Sequence, residues 1–136
     1  MIIDSHCHID FEAFDADRDH IMGRAYEAGI QHIIVPAITA ASWPKVKTIC
    51  NQYDGLHPAY GLHPYFLDQH KDHDLTALAQ WIETEQPIAV GECGLDYFLK
   101  ELDRDRQLYY FEAQLALASQ YDLPVIIHAR KATQQV

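Results

Sequence analysis

Ile33-Ile34-Val35, then Ser42-Trp43-Pro44, then Val46, Ile49, Cys50 and Tyr53 before Gly55, form one strand-then-helix unit. Three β-branched residues in a row are apolar on both faces, as a strand covered on both sides requires. Ser42 supplies a cap, Pro44 suits a first helical turn, the four later positions fall at helical spacing, and Gly55 is a stop. The unit recurs in both directions. Upstream, Ile2-Ile3 leads into Asp4-Ser5-His6-Cys7-His8, and Asp15-Ala16-Asp17 opens a helix with Ile21, Ala25 and Ala28 on one face and Gly29 at its end. Downstream, a strand around Ala59-Tyr60-Gly61-Leu62 ends at His63-Pro64, and Asp74 caps a helix of Leu75, Leu78, Ala79 and Ile82 stopped by Pro87. Ile88-Ala89-Val90 ends at Gly91-Glu92, a helix carries Leu108, Phe111, Leu115 and Ala118, and Val125-Ile126-Ile127 ends at His128.

Helices between the strands exclude hairpins, so the strands pair in parallel with right-handed crossovers, and the class is α/β. The doubly wound open sheet and the (β/α)8 barrel share this grammar. An open nucleotide-binding sheet would place a Gly-rich loop after its first strand, whereas here His6-Cys7-His8 follows it. Four of the five strands end in a group able to hold a metal or an anion: His6 and His8, His63, Glu92 and His128. Convergence at strand C-termini is how barrel active sites are built.

The chain has 136 residues, 49% of them hydrophobic and 22% charged, which is the composition of a folded domain rather than a disordered or fibrous chain. No apolar run approaches the roughly 20 residues of a membrane helix, and the first residues lack a secretory-signal pattern. Cys7, Cys50 and Cys93 are odd in number and widely spaced, as reduced thiols in a cytoplasmic protein would be. The expectation is a soluble cytoplasmic protein that does not engage a membrane. A formal net charge of −10 argues against non-specific nucleic-acid binding through bulk electrostatics, but not against a local cationic site.

His6 and His8 are two apart on a strand, so their rings share a face and can chelate one ion, while Cys7 points away. Glu92 puts a carboxylate at the end of a buried strand, where it is costly unless paired or metal-bound. His128 closes its strand in the same way. Together these residues offer the nitrogen and oxygen ligands that suit Zn²⁺ or a similar first-row ion.

Asp4-Ser5-His6-Cys7-His8, Gly61-Leu62-His63-Pro64, Gly91-Glu92-Cys93-Gly94-Leu95-Asp96-Tyr97 and Leu123-Pro124-Val125-Ile126-Ile127-His128-Ala129-Arg130 resemble, in order and spacing, the TatD-type metal-dependent deoxyribonucleases, a group of amidohydrolase-like (β/α)8 hydrolases. The resemblance implies two divalent ions (Zn, Mg or Mn), one held by His6 and His8, a second by His128, with Glu92 bridging them. It further implies hydrolysis of phosphodiester bonds in DNA or an oligonucleotide by a metal-activated water. His63 would stand beside the scissile phosphate to orient it or protonate a leaving oxygen, and Arg130 would grip phosphate. A barrel takes about 250 residues, so residues 1–136 are expected to be the N-terminal half of one hydrolase domain, about four and a half β/α units. The family's further metal-binding His and catalytic Asp lie beyond the fifth strand, in the C-terminal half absent from this chain.

Two other readings stand beside this one: a non-catalytic metal-binding fragment, and a related hydrolase acting on an amide, lactone or phosphotriester. Glu92 at the place where many such enzymes carry a modified lysine favours the nuclease. A half-barrel with open first and fifth strands is expected to self-associate or to require its missing half. His20, His32, His57, His70 and His73 show no partner pattern, and His70 and His73, in Gln69-His70-Lys71-Asp72-His73-Asp74, read as solvated. Tyr109, Tyr110 and Phe111 read as helix packing; Tyr65 and Phe66 are the better candidates for stacking on a base.

Overall fold

Every apolar run quoted above lies on or against a strand, and every amphipathic segment is a helix. The computed structural model describes residues 1–136. In chain order it contains β1 (Ile2–Asp4), α1 (Arg18–Glu27), β2 (Ile30–Pro36), α2 (Trp43–Gln52), β3 (Leu56–Tyr60), α3 (Asp72–Glu85), β4 (Ala89–Asp96), α4 (Arg104–Gln120) and β5 (Val125–Arg130). All pairings are parallel and the sheet order is β1-β2-β3-β4-β5. Right-handed crossovers between strands that are neighbours in both sequence and space put every helix on one face, the arrangement of a barrel wall rather than of a doubly wound sheet.

The main core lies between the sheet and this helical layer, where Val35, Val46, Leu78 and Val90 are fully buried beside Tyr60, Met22 and Leu67. Each such side chain contributes roughly 1.5–3 kcal/mol of transfer free energy. On β2, Ile33 and Val35 face this layer, so strand alternation turns His32 and Ile34 to the concave side. The concave side at the C-terminal ends of the strands is where the charged residues gather.

The structure moves several sequence expectations. β4 runs four residues past Glu92 to Asp96 with all eight residues buried, so Glu92 is mid-strand rather than terminal. Gly91, Glu92, Gly94 and Asp96 hide the strand from a reading based on apolar runs. His6 and His8 lie just beyond β1, although the Cys7 N–H still donates to the Ile34 carbonyl at 3.1 Å. Leu62 lies two residues past the end of β3. Asp74 is inside α3, where its carboxylate accepts the Lys71 N–H at 2.9 Å. The buried stripe of α4 is Gln107, Phe111, Gln114 and Ala118 with Tyr110, while Leu108 and Tyr109 are exposed.

Glycines bring the last strands together. A Cβ on Gly94, whose φ is +143°, would stand 2.0 Å from the His128 carbonyl oxygen, and one on Gly61 would stand 2.7 Å from the Gly91 carbonyl carbon. Both approaches occur next to candidate ligands.

Candidate metal centre

Glu92 is 4% exposed, and both of its oxygens face imidazoles. Oε2 lies 2.9 Å from His6 Nε2 and 3.1 Å from His8 Nε2. Oε1 lies 3.3 Å from His63 Nε2 and 3.2 Å from His128 Nδ1. His6 Nε2 and His8 Nε2 are 3.3 Å apart. Residues just beyond β1 and β3 and from within β4 and β5 therefore meet on one carboxylate, in two groups that share it: His6, His8, Glu92 and His63, Glu92, His128.

Donors around one first-row ion stand roughly 3 Å apart, given bond lengths of about 2.0–2.2 Å. The observed spacings meet that condition, and imidazole nitrogen with carboxylate oxygen is the donor chemistry such ions take. The residues present fit a divalent cation.

Hydrogen bonds on the far side of each ring set which nitrogen faces the centre. His8 Nδ1 bonds the Pro36 carbonyl at 3.0 Å, so Nδ1 holds the proton and Nε2 offers a lone pair. His128 Nε2 bonds Asp96 Oδ2 at 3.0 Å, which leaves Nδ1 to face Glu92. A carboxylate behind a ligating histidine fixes its tautomer and raises its basicity. His63 is the opposite case. Its Nδ1 accepts the Tyr65 N–H at 3.0 Å, so the neutral ring carries its proton on Nε2 and presents a donor to the centre.

Electrostatics follow from the same contacts. Burial alone would raise the Glu92 pKa, but when His8 and His128 are protonated on both nitrogens, hydrogen bonds from His128, His63 and His8 outweigh it and hold the carboxyl far below its usual range. Burial pushes His8 down, and the hydrogen bond and charge of Glu92 turn the net shift upward. The Glu92 hydrogen bond raises His128 against burial, helped by Asp96. His63 goes down, because burial dominates what Glu92 restores. Asp96 is lowered: burial opposes ionisation, and Arg130 and His128 overcome it.

Arg130 reaches this cluster from behind. Its Nε donates to Asp96 Oδ1 at 3.0 Å and Oδ2 at 2.9 Å, and its guanidinium lies 4.5 Å from the Phe98 ring centroid. Its terminal nitrogens have no protein acceptor. Phe11 stacks on His8 with centroids 4.7 Å apart. Arg18 fixes the loop carrying Phe11 by donating to the Ile9, Asp10 and Phe11 carbonyls at 2.8, 3.3 and 3.1 Å and to Asp15 at 2.6 Å.

The expectation that His70 is solvated is wrong. It is 2% exposed, and its Nε2 donates to the His63 carbonyl at 2.7 Å; the tight turn after His63 folds it inward. His73 is exposed as expected. His32 and His57 do have partners, each other, at 2.9 Å on adjacent strands toward the end opposite the metal centre. Cys93 points away from Glu92 into a small cluster with Leu95, Phe111 and Ala132, and burial pushes its thiol up to about 12. Tyr65 is half exposed, and Phe66 lies edge-on to the His63 ring. Asp96 was missed as a site residue, although alternation from Glu92 along a strand turns both to one face.

Relatives share this architecture. The chain is 43% identical over 131 residues to an uncharacterized metal-dependent hydrolase, YjjV, of Escherichia coli K12, covering 95% of this chain and 51% of that protein. It is 34% identical over 127 residues to a 3'-5' ssDNA/RNA exonuclease TatD of Erwinia tasmaniensis, covering 90% of this chain and 48% of that protein. The crystal structure of the E. coli TatD homologue YjjV superposes with a TM-score of 0.94 at 41% identity, covering 98% of this chain and 52% of that one. The chain thus spans about half the length of the curated relatives it matches. The family model for TatD related DNase matches residues 3–136, and the chain belongs to that family of metal-dependent hydrolases.

Proposed function

We propose that this chain carries the ion-binding half of a phosphodiesterase that shortens single-stranded nucleic acid. His6, His8 and Glu92 hold one divalent cation, and Glu92 and His128 contribute to a second, with Zn²⁺, Mg²⁺ or Mn²⁺ as candidates. The observation carrying this reading is Glu92: one buried carboxylate has both oxygens engaged, each by a different pair of imidazoles. Divalent ions at such a site acidify water and neutralise charge developing on phosphoryl oxygens.

The chain's own residues supply the rest. His63 directs its Nε2–H at the centre, so it donates a hydrogen bond that orients a phosphoryl oxygen and stabilises the charge developing on it. The free terminal nitrogens of Arg130 take phosphate while Asp96 holds its Nε. Tyr65 offers an exposed ring beside His63 for a terminal base. In a chain of net charge −10, such a cluster grips a strand end through few phosphates rather than wrapping a duplex. The exonuclease name of the Erwinia relative supports a nucleic-acid substrate.

The remainder of a barrel completes this half in the same reading, covering the open edges of β1 and β5, where Ile2, Ile3 and Ile127 are exposed. A cytoplasmic location belongs to it too, supported by the unpaired Cys7, Cys50 and Cys93; no helix is long and apolar enough to cross a membrane. The test offers the protein that carries this chain single-stranded DNA and RNA oligonucleotides beside amides, lactones and phosphotriesters. Cation-dependent nucleotide release is expected. Lactone, amide or phosphotriester hydrolysis without nucleotide release overturns the assignment.

A further inference from the structure

Gln107 and Gln114 are both 0% exposed, and they occupy the most buried stripe of α4. Seven residues apart, they stand two turns from each other on one helix face. Each brackets one backbone residue with both ends of its amide, and Gln114 Nε2 also donates to the Tyr110 carbonyl of its own helix at 3.0 Å. Gln114 Oε1 accepts the Leu62 N–H at 2.7 Å while its Nε2 donates to the Leu62 carbonyl at 3.1 Å. Gln107 Oε1 accepts the Asp96 N–H at 2.7 Å while its Nε2 donates to the Asp96 carbonyl at 3.0 Å.

Both targets adjoin the metal centre. Leu62 immediately precedes His63, and Asp96 carries the carboxylate that holds His128 Nε2. His63 and His128 are the two rings that address Glu92 Oε1, the rings addressing Oε2 being His6 and His8. Leu62 also lies where the sheet no longer supports the backbone, since the β3–β4 ladder ends at the Tyr60–Val90 pair. Here a side-chain amide takes the place of a neighbouring strand. Around it the Trp43 indole donates to the Gly61 carbonyl, the His63 N–H donates to the Ile38 carbonyl, and His70 donates to the His63 carbonyl. Packing alone does not account for two amides here. Leu or Met fills a buried helix stripe with less desolvation cost but satisfies neither backbone group.

We propose that Gln107 and Gln114 are positioning residues: α4 acts as a two-pronged ruler that sets His128, through Asp96, and His63, through Leu62, onto the same oxygen of Glu92. The inference rests on the two-ion reading above. Gln107 acts on an ion ligand and Gln114 on a hydrogen-bond donor, so their losses differ in kind.

The experiment compares Gln107→Met and Gln114→Met with the parent, in the protein that carries this chain, by Co²⁺ titration read calorimetrically and by absorption of the bound ion. Gln107→Met is expected to weaken one of two Co²⁺ sites about ten- to a hundredfold, as removing an outer partner of a ligand does, and to leave the other site unchanged. Gln114→Met is expected to leave both Co²⁺ affinities unchanged and to lower kcat on an oligonucleotide about tenfold or more with KM held. If a Met variant does not fold, the Gln→Glu variant replaces it, since it keeps the acceptor and loses the donor. Folded variants that match the parent, or that lose both ion sites together, overturn the proposal alone. A parent binding fewer than two Co²⁺ ions overturns the two-ion reading and the proposal with it.

Discussion

His63 Nδ1 accepts the backbone N–H of Tyr65 at 3.0 Å, and that contact decides which ring nitrogen holds the proton. With Nδ1 occupied, Nε2–H faces Glu92 Oε1 at 3.3 Å. His63 is then a donor in the site, whereas His8 and His128 present lone pairs.

Removing the donor therefore separates turnover from ion binding. His63→Ala is expected to lower kcat on an oligonucleotide by about 10²–10³, the range for a lost hydrogen-bond donor to a developing oxyanion, with Co²⁺ affinity unchanged. Calorimetry beside steady-state kinetics reads both, and a large drop in affinity would make His63 a ligand instead.

Arg18 anchors the loop that places Phe11 on His8. Arg18→Met strips its bonds to three consecutive carbonyls and to Asp15, and the expected cost is about 3 kcal/mol of stability, since hydrogen bonds from a charged donor are each worth 1.5–3 kcal/mol at most and share one backbone segment. Urea denaturation measures it. A loss below about 1 kcal/mol would mean that water replaces the guanidinium without penalty.

Much of this was legible in the residues themselves. The Ile and Val runs and the helical spacing between them specify the α/β class, and polar residues at the ends of those runs point to the C-terminal face of a barrel. What apolar periodicity could not show was where polar groups are buried on purpose. Apolar runs end β4 at Glu92 because Gly91, Glu92, Gly94 and Asp96 interrupt its apolar residues, yet Asp96 is fully buried. On α4 the apolar pattern selected Leu108 and Leu115, and the actual stripe contains Gln107 and Gln114, whose targets are backbone atoms more than ten residues away in sequence. His70 lies in a run of polar residues that composition assigns to solvent, and only the fold reveals that it is buried with its Nε2–H on the His63 carbonyl.

His70 gives a pH signature. Burial lowers its pKa against the pull of the His63 carbonyl and Asp74, with His63 and Arg106 adding to the lowering. The unfolded chain takes up the proton at about 6.5, before the folded protein does. Stability is therefore full above that pH and falls as pH drops from it toward the lower folded value. In metal-free protein, His70→Gln keeps a donor and removes the titration. Its stability loss between about pH 7 and 5 should be smaller than the parent's in parallel urea titrations; equal slopes would exclude His70 as a source.

Gly94 lies on β4 directly against the His128 backbone of β5. Gly94→Ala places a Cβ 2.0 Å from the His128 carbonyl oxygen at a φ of +143°, and the expected loss is roughly 3 kcal/mol or more from overpacking and backbone strain. Thermal denaturation measures it, and a Tm equal to the parent's would contradict the strand geometry around His128.

The most direct measurement is divalent-ion binding by Glu92→Gln beside the parent. The substitution keeps the side chain's shape and removes the charge on which His6, His8, His63 and His128 converge. Calorimetric titration is predicted to show Co²⁺ binding in the parent and none at comparable concentration in the folded variant, with nucleotide release lost alongside. Parent-like Co²⁺ affinity in Glu92→Gln would contradict a metal centre built on this carboxylate.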